Sequence, residues 1–245
     1  MERVDKVFGG SVVALKGMDL DVREGDFISL LGPSGCGKST ALRLIAGLMQ
    51  PTAGHIDWRG AREKGDLGVV FQEPTLMPWA TVAQNVSLPF RLRGKSHGAV
   101  HDDVREVLEL VGLGAFLDAY PRELSGGMKM RVSIARAMVT HPRLILMDEP
   151  FAALDEITRF KLNNDLLTLK DKIGSTVVFV THSVFESVFL SDRIIVMAAR
   201  PGRVIQELNV DEPYPRSEGF RTSSDYAAHC RAASDALHAA MGEAA

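Results

Sequence analysis

Gly32-Pro33-Ser34-Gly35-Cys36-Gly37-Lys38-Ser39-Thr40 fits the pattern G-x-x-x-x-G-K-[ST]. It follows the apolar run Phe27–Leu31 and opens a helical stretch over residues 41–48, which is the context the pattern needs. Glycines let the backbone curl so that successive N–H groups point inward and make an anion-binding nest. The positive end of the following helix aims at the same place. Lys38 can reach the β- and γ-phosphates of a nucleotide, and the Ser39 hydroxyl can bind Mg²⁺. A Gly-rich turn with an exposed lysine is the ordinary alternative. The strand before and the helix after favour nucleotide binding.

A second element, Leu144-Ile145-Leu146-Met147-Asp148-Glu149, is an apolar strand ending in two acids. Open α/β sheets place their ligands at the carboxyl ends of such strands. Asp148 can hold Mg²⁺ there, and Glu149 can orient and polarise an attacking water. A single acid would merely end a strand; two acids downstream of a phosphate loop favour chemistry. The third element is Leu124-Ser125-Gly126-Gly127-Met128-Lys129. Ser125 is a helix N-cap by type. The glycines after it expose backbone N–H groups, a second anion site. One chain with one nucleotide has no use for a second anion site. Two chains head to tail do, each presenting this helix end to the γ-phosphate held by the other.

The elements that must position these residues follow from patterning. Buried strands are expected at Phe27–Leu31, 68–71, Leu144–Asp148, 176–180 and 194–197, all rich in Val, Ile, Leu or Phe. Val12, Ala14, Met18, Leu20 and Val22 alternate, which suggests antiparallel strands beside the main sheet. Residues 51–54 read as a turn with a strand after it. From about Val86 to Val139 the period becomes helical. The expected fold is therefore α/β: a P-loop NTPase with a mostly parallel core sheet, an antiparallel N-terminal β subdomain and an inserted helical lobe at about 85–140. A final Ala-rich helix is expected over 224–241, after the segment Asp211-Glu212-Pro213-Tyr214-Pro215-Arg216.

The chain of 245 residues is 46% hydrophobic and 24% charged, as globular domains are. Its net charge of −3 argues against a broadly basic nucleic-acid binder. No apolar run is long enough to span a membrane, and no signal-peptide core is present. Two cysteines, Cys36 and Cys230, fit a reducing compartment. These features lead to the expectation of a cytosolic protein whose membrane role, if any, comes through a partner.

Together the motifs resemble those of ABC-transporter ATP-binding subunits over roughly residues 4–197. The similarity takes in the P-loop, the LSGG signature at Leu124–Gly127, the acidic strand with Glu149, and a D-loop-like Ala153-Leu154-Asp155. It also takes in Gln72 within Val69-Val70-Phe71-Gln72-Glu73 and a switch histidine in Val180-Thr181-His182-Ser183. The resemblance implies that Gln72 senses the γ-phosphate through Mg²⁺ and that His182 hydrogen-bonds it near Glu149. It puts Phe8 where the family stacks an aromatic on adenine, although a lone Phe in a strand is otherwise core. Met128 stands in place of the common signature glutamine, Met130 in place of a second one, and Ser183 in place of an aspartate.

The finer resemblance is to the nitrate/sulfonate/taurine importer group. It is carried by Gln72-Glu73-Pro74-Thr75-Leu76-Met77-Pro78-Trp79, Pro150-Phe151-Ala152-Ala153-Leu154-Asp155 and Met197-Ala198-Ala199-Arg200-Pro201-Gly202-Arg203. Leu76, Met77, Pro78 and Trp79 would suit a groove for a partner helix, or lie in the core. Residues 181–187 also resemble members that import pyrimidine precursors. Sugar-importer subunits add a regulatory domain, and the 48 residues after Met197 are too few for one. The resemblance thus implies an ATP-binding domain over 1–200 with a short extension over 201–245. It implies an ATPase that uses ATP and Mg²⁺ and dimerises around two nucleotides. Its partners would be membrane permease subunits and, indirectly, an extracytoplasmic solute-binding protein, with the chain peripheral on the cytoplasmic face of the inner membrane. A non-transport ATPase signalling to an envelope partner has the same site chemistry. His97 and His101 have the spacing of paired zinc ligands but lack the neighbouring glutamate, so a solvated pair is expected.

Overall fold

Runs of Val, Ile, Leu and Phe too short for helices and nearly free of charge are stable as strands covered on both faces. The structure, a computed structural model, describes residues 1–58, 65–95, 98–214 and 216–242. His97 and Pro215, singled out above, lie outside the described residues. In chain order the elements are β1 (Glu2–Phe8), β2 (Val12–Met18), β3 (Phe27–Leu31), α1 (Lys38–Ile45), β4 (Ala53–His55), β5 (Leu67–Val70), α2 (Val82–Val86), α3 (Leu88–Arg91), α4 (His101–Leu110), α5 (Gly126–Met138), β6 (Leu144–Asp148), α6 (Glu156–Ile173), β7 (Thr176–Thr181), α7 (Val184–Leu190), β8 (Arg193–Ala198), β9 (Arg203–Asn209) and α8 (Ser224–Gly242). They form two compact units, Met1–Arg62 with Thr176–Ala245, and Glu63–Ser175.

In the first unit β3 runs parallel to both β7 and β8, with Leu30 opposite Val180 on one side and Ile195 on the other. Every residue of these three strands is buried. Strand β9 closes the edge antiparallel to β8. The sequence pattern misses β9, because its exposed Gln206 and Glu207 give it no continuous apolar run. Arg193 opens buried β8 only because Asp26 and Glu207 meet its guanidinium at 2.8 and 2.6 Å. That pairing holds the Glu207 carboxyl below its usual range. Strands β2, β1 and β4 form a separate antiparallel sheet. Strand β4 begins at Ala53, inside the expected turn rather than after it; Gly54 with φ of 77° lets the chain pair immediately.

The C-terminal segment is tied to α7. Buried Arg216 donates to the carbonyls of Val188, Phe189 and Ser191 at 2.8–2.9 Å, and the Tyr214 hydroxyl donates to that of Leu190. These are the carbonyls that the end of a helix leaves without intrahelical partners. Helix α8 follows within two residues of 222 and packs on α7 and β8.

The second unit pairs β5 parallel to β6, with Val70 opposite Met147. The strand expected at 68–71 starts and ends one residue earlier. Helices α2 to α5 lie between the two strands in sequence. Helix α5 is capped by Ser125, whose hydroxyl accepts from the Met128 N–H. Helix α6 is capped by Asp155 through the Thr158 N–H and stops at Gly174, φ 69°. Strand β3 pairs parallel with β7 and β8, and β5 with β6, while β1, β2 and β4 pair antiparallel, so the α/β class and the antiparallel β subdomain expected from patterning are what the chain adopts. Among the described residues no helix is long and apolar enough to cross a membrane.

Candidate functional site

The phosphate loop leaves the end of β3 and turns directly into α1, which starts at Lys38, three residues before the periodic stretch suggests. The early start needs the left-handed backbone of Gly37, φ 94°. A Cβ on Gly37 would fall 2.6 Å from the Leu15 side chain. One on Gly32 would fall 2.7 Å from both the Cys36 sulfur and the Met197 carbonyl oxygen. Glycine is therefore required at both positions. Ser34 and Gly35 are exposed at the loop crest, while Pro33, Ser39 and Thr40 are half-buried. Lys38 is 4% exposed. Its ammonium donates to the carbonyls of Gly32 at 2.7 Å and Pro33 at 3.0 Å, so the loop wraps its own cation. Burial pushes the Cys36 thiol up despite that neighbouring cation, and keeps it protonated and inert.

Helix α1 has no side-chain cap at Gly37 and no acid in its first turn. A phosphate would complete this helix start electrostatically and through hydrogen bonds. The residues present therefore fit a nucleotide phosphate chain.

Two other expected site residues share this unit. Phe8, 37% exposed, ends β1 with the Lys6 ammonium 5.2 Å from its ring centroid, so it is not core. His182 is exposed at the end of β7, immediately before the α7 cap Ser183.

The remaining candidates belong to the second unit. Asp148 and Glu149 are half-buried where β6 ends. Glu149 has φ of 45°, a left-handed backbone that costs a non-glycine residue free energy and recurs at functional sites. The parallel register puts Gln72, exposed two residues beyond β5, at the same end of the strand pair as these acids.

Ser125 and Gly126 are exposed at the start of α5. The two signature glycines differ. A Cβ on Gly126 would find ordinary contact at 3.8 Å, whereas one on Gly127 would meet the Thr158 methyl at 2.8 Å. Gly127 thus lets α5 approach α6, a packing duty beside any anion-binding one. Met130 is buried at 2% exposure, so its side chain serves the core of this unit. Trp79 is 77% exposed.

Sequence reasoning missed the residues that hold the segment after Gln72. Arg136, on α5, donates to the carbonyls of Pro74 and Thr75 and to the Thr75 hydroxyl. Thr75 itself has φ of 47°. Asn85, fully buried on α2, accepts from the Met77 N–H and donates to the carbonyls of Met77, Ala80 and Thr81. A buried asparagine needs such partners, but the sequence does not say which ones.

A family model described as ABC transporter matches residues 15–152, more than half of the chain. The chain belongs to the ABC transporter family. Curated relatives agree. The aliphatic sulfonates import ATP-binding protein of Pseudomonas savastanoi pv. phaseolicola is 48% identical over 217 residues, 87% of this chain and 86% of that protein. The nitrate import ATP-binding protein of Synechocystis sp. is 45% identical over 219 residues, 86% of this chain and 82% of that one. Among solved structures, the dimeric post-hydrolysis state of an ATP-binding cassette bound to ADP and Pi matches with a TM-score of 0.74 and 33% identity. That match covers 86% of this chain and 98% of the other. This ABC protein is therefore an ATP-binding ATPase subunit that resembles the nitrate/sulfonate importer group, as its motifs indicate.

Proposed function

We propose that this ABC subunit powers an importer for a small anion of the sulfonate or nitrate class. The observation that carries the proposal is the α1 start, with its wrapped Lys38 and uncapped first turn, in a chain nearly half identical to two import subunits. In this reading residues 1–200 form the ATP-binding domain, with the helical lobe at about 85–140. Residues 201–245 are an extension rather than a regulatory domain.

ATP lies with its phosphates on the loop over residues 32–40, whose N–H groups, save at Pro33, donate to them, and with its adenine on Phe8. Lys38 leaves its carbonyl partners for the β/γ-oxygens, a trade of neutral acceptors for charged ones. Ser39, Asp148 and Gln72 are the residues that would hold Mg²⁺, which neutralises charge building on the leaving phosphate when bound. Glu149 accepts a proton from the attacking water, and His182 donates to the γ-phosphate. Ser125, Gly126 and Gly127 offer their N–H groups to the nucleotide of a second copy. Two ATP molecules thus bridge a homodimer whose closing and reopening drive permease subunits. The chain itself stays peripheral on the cytoplasmic face, and a solute-binding protein outside delivers the cargo.

The test has two arms. Glu149→Gln keeps the shape but cannot take the proton, so it should bind ATP, cease hydrolysis and accumulate as a dimer by mass action. Light scattering with ATP, with Mg²⁺ or with EDTA, together with phosphate release, measures this. Near wild-type hydrolysis would remove Glu149 as the base. A tag on this chain should also pull a polytopic permease out of native membranes, and sulfonate or nitrate with the binding protein should raise turnover. Recovery of the chain without a permease would refute the importer assignment.

A further inference from the structure

His182 stands exposed on the corner between β7 and α7. Its two neighbours, Thr181 and Ser183, are tied into the structure by their side chains. The Thr181 hydroxyl donates to the Glu186 carboxylate at 2.5 Å and accepts from the Ser183 N–H at 3.0 Å. The Glu186 N–H donates in turn to the Ser183 hydroxyl at 3.3 Å. Thr181, Ser183 and Glu186 thus close a ring of three hydrogen bonds around the backbone of residues 181–183. Only His182 projects from it. Thr181 and Glu186 are almost wholly buried, at 2% and 6% exposure. A hydroxyl donating to a carboxylate at this distance belongs to the stronger class of hydrogen bonds.

Glu186 is fixed from behind as well. It lies in the first turn of α7, next to Phe185, whose carbonyl accepts from the Tyr226 hydroxyl of α8 at 3.0 Å. Arg216 grips the far end of the same helix. The Arg221 guanidinium lies within electrostatic reach of the Glu186 carboxylate. A seven-residue helix held at both ends is a rigid mount.

We propose that Glu186 is a positioning residue for His182: its buried carboxylate holds the Thr181 hydroxyl, which in turn accepts from the Ser183 N–H, and so fixes the backbone from which the imidazole reaches the γ-phosphate. The proposal rests on the role given to His182 above. It makes the α7–α8 region part of the hydrolytic machinery without any contact to nucleotide.

Two substitutions separate hydrogen bonding from bulk. Glu186→Gln keeps an oxygen to accept from Thr181, whereas Glu186→Leu keeps the size and loses the acceptor. On the purified full-length chain one measures kcat and KM for ATP, ATP affinity by calorimetry, and Tm. The His182 ring resonances are followed too, identified among the seven histidines by their loss in His182→Ala. Glu186→Leu should lower kcat by about tenfold or more, leave KM and ATP affinity within about twofold, and shift or broaden the His182 signals. Glu186→Gln should restore at least about half of kcat. Unmoved His182 signals with unchanged kcat in Glu186→Leu would overturn the proposal, and so would equal loss in both variants. Moved signals with unchanged kcat would instead overturn the hydrolytic role of His182 and leave Glu186 as its mount. Should Glu186→Leu fail to fold, Thr181→Val breaks the same ring isosterically and carries the same readouts.

Discussion

Replacing Arg136 with methionine isolates what holds the segment after Gln72. Methionine keeps the apolar bulk of the stem and removes the guanidinium donors. Those donors meet the Pro74 and Thr75 carbonyls at 2.9 Å each and the Thr75 hydroxyl at 3.0 Å. Partial burial lowers the Arg136 pKa; a guanidinium nonetheless stays charged in proteins, so the interactions are those of a cation. A hydrogen bond to a charged group nets about 1.5–3 kcal/mol. Bonds that share one guanidinium do not add, so the set contributes about 3 kcal/mol.

The loss is partly offset. Thr75 sits in left-handed backbone, and release from Arg136 lets it relax, recovering about 1 kcal/mol. The net loss of about 2 kcal/mol should lower Tm by about 4–8 °C for a chain of this size. The loosened segment lies between Phe71 and Trp79, both exposed, so chymotrypsin should cleave there faster than in the parent under native conditions. Scanning calorimetry and a timed digest measure the two effects. An unchanged Tm with an unchanged cleavage rate would refute the idea that Arg136 clamps this segment.

Two further substitutions probe separate features. Ser125→Arg puts a bulky cation on an exposed helix start; it should cost about 1 kcal/mol of capping and leave ATP binding by the monomer intact. In the Glu149→Gln background it should abolish the ATP-dependent dimer on size-exclusion chromatography, and an ordinary dimer would contradict the second anion site. Asn163 is 1% exposed on α6, and neither its amide nitrogen nor its oxygen has a partner among the described residues. Asn163→Leu, with the same number of side-chain heavy atoms, should remove a desolvation cost of about 1–3 kcal/mol and raise Tm. A lowered Tm would mean that the amide holds a buried water there.

Why the motifs were legible and their supports were not follows from how each is encoded. A glycine at 32, 35 or 37 is demanded by backbone geometry, so the P-loop is written in consecutive letters. Strands β3 and β6 are equally local: a run of four or five apolar or near-apolar residues leaves few alternatives to burial on both faces. Strand β9 hides because an edge strand with one solvated face carries no such run. Helix α1 starts before its apolar period does, since its first turn is spent on Lys38, Ser39 and Thr40 rather than on core contacts. Arg136, Asn85 and Glu186 are harder still. Each is a polar residue in a helical stretch, and a helical period says only which face it occupies. The partners of Arg136 are carbonyls 61 and 62 residues away in sequence, and a carbonyl is the same chemical group on every residue. Side chain to backbone bonding therefore leaves almost no trace in residue types, although it is what fixes the loop after Gln72. The ring around His182 is the intermediate case. Thr181, Ser183 and Glu186 are close in sequence, and Ser183 followed three residues later by Glu186 has the form of a capping box. Serine at 183 thus supplies the helix cap that an aspartate would supply there. Its hydroxyl accepts from the Glu186 N–H as a carboxylate oxygen would, and the glutamate is left to hold Thr181.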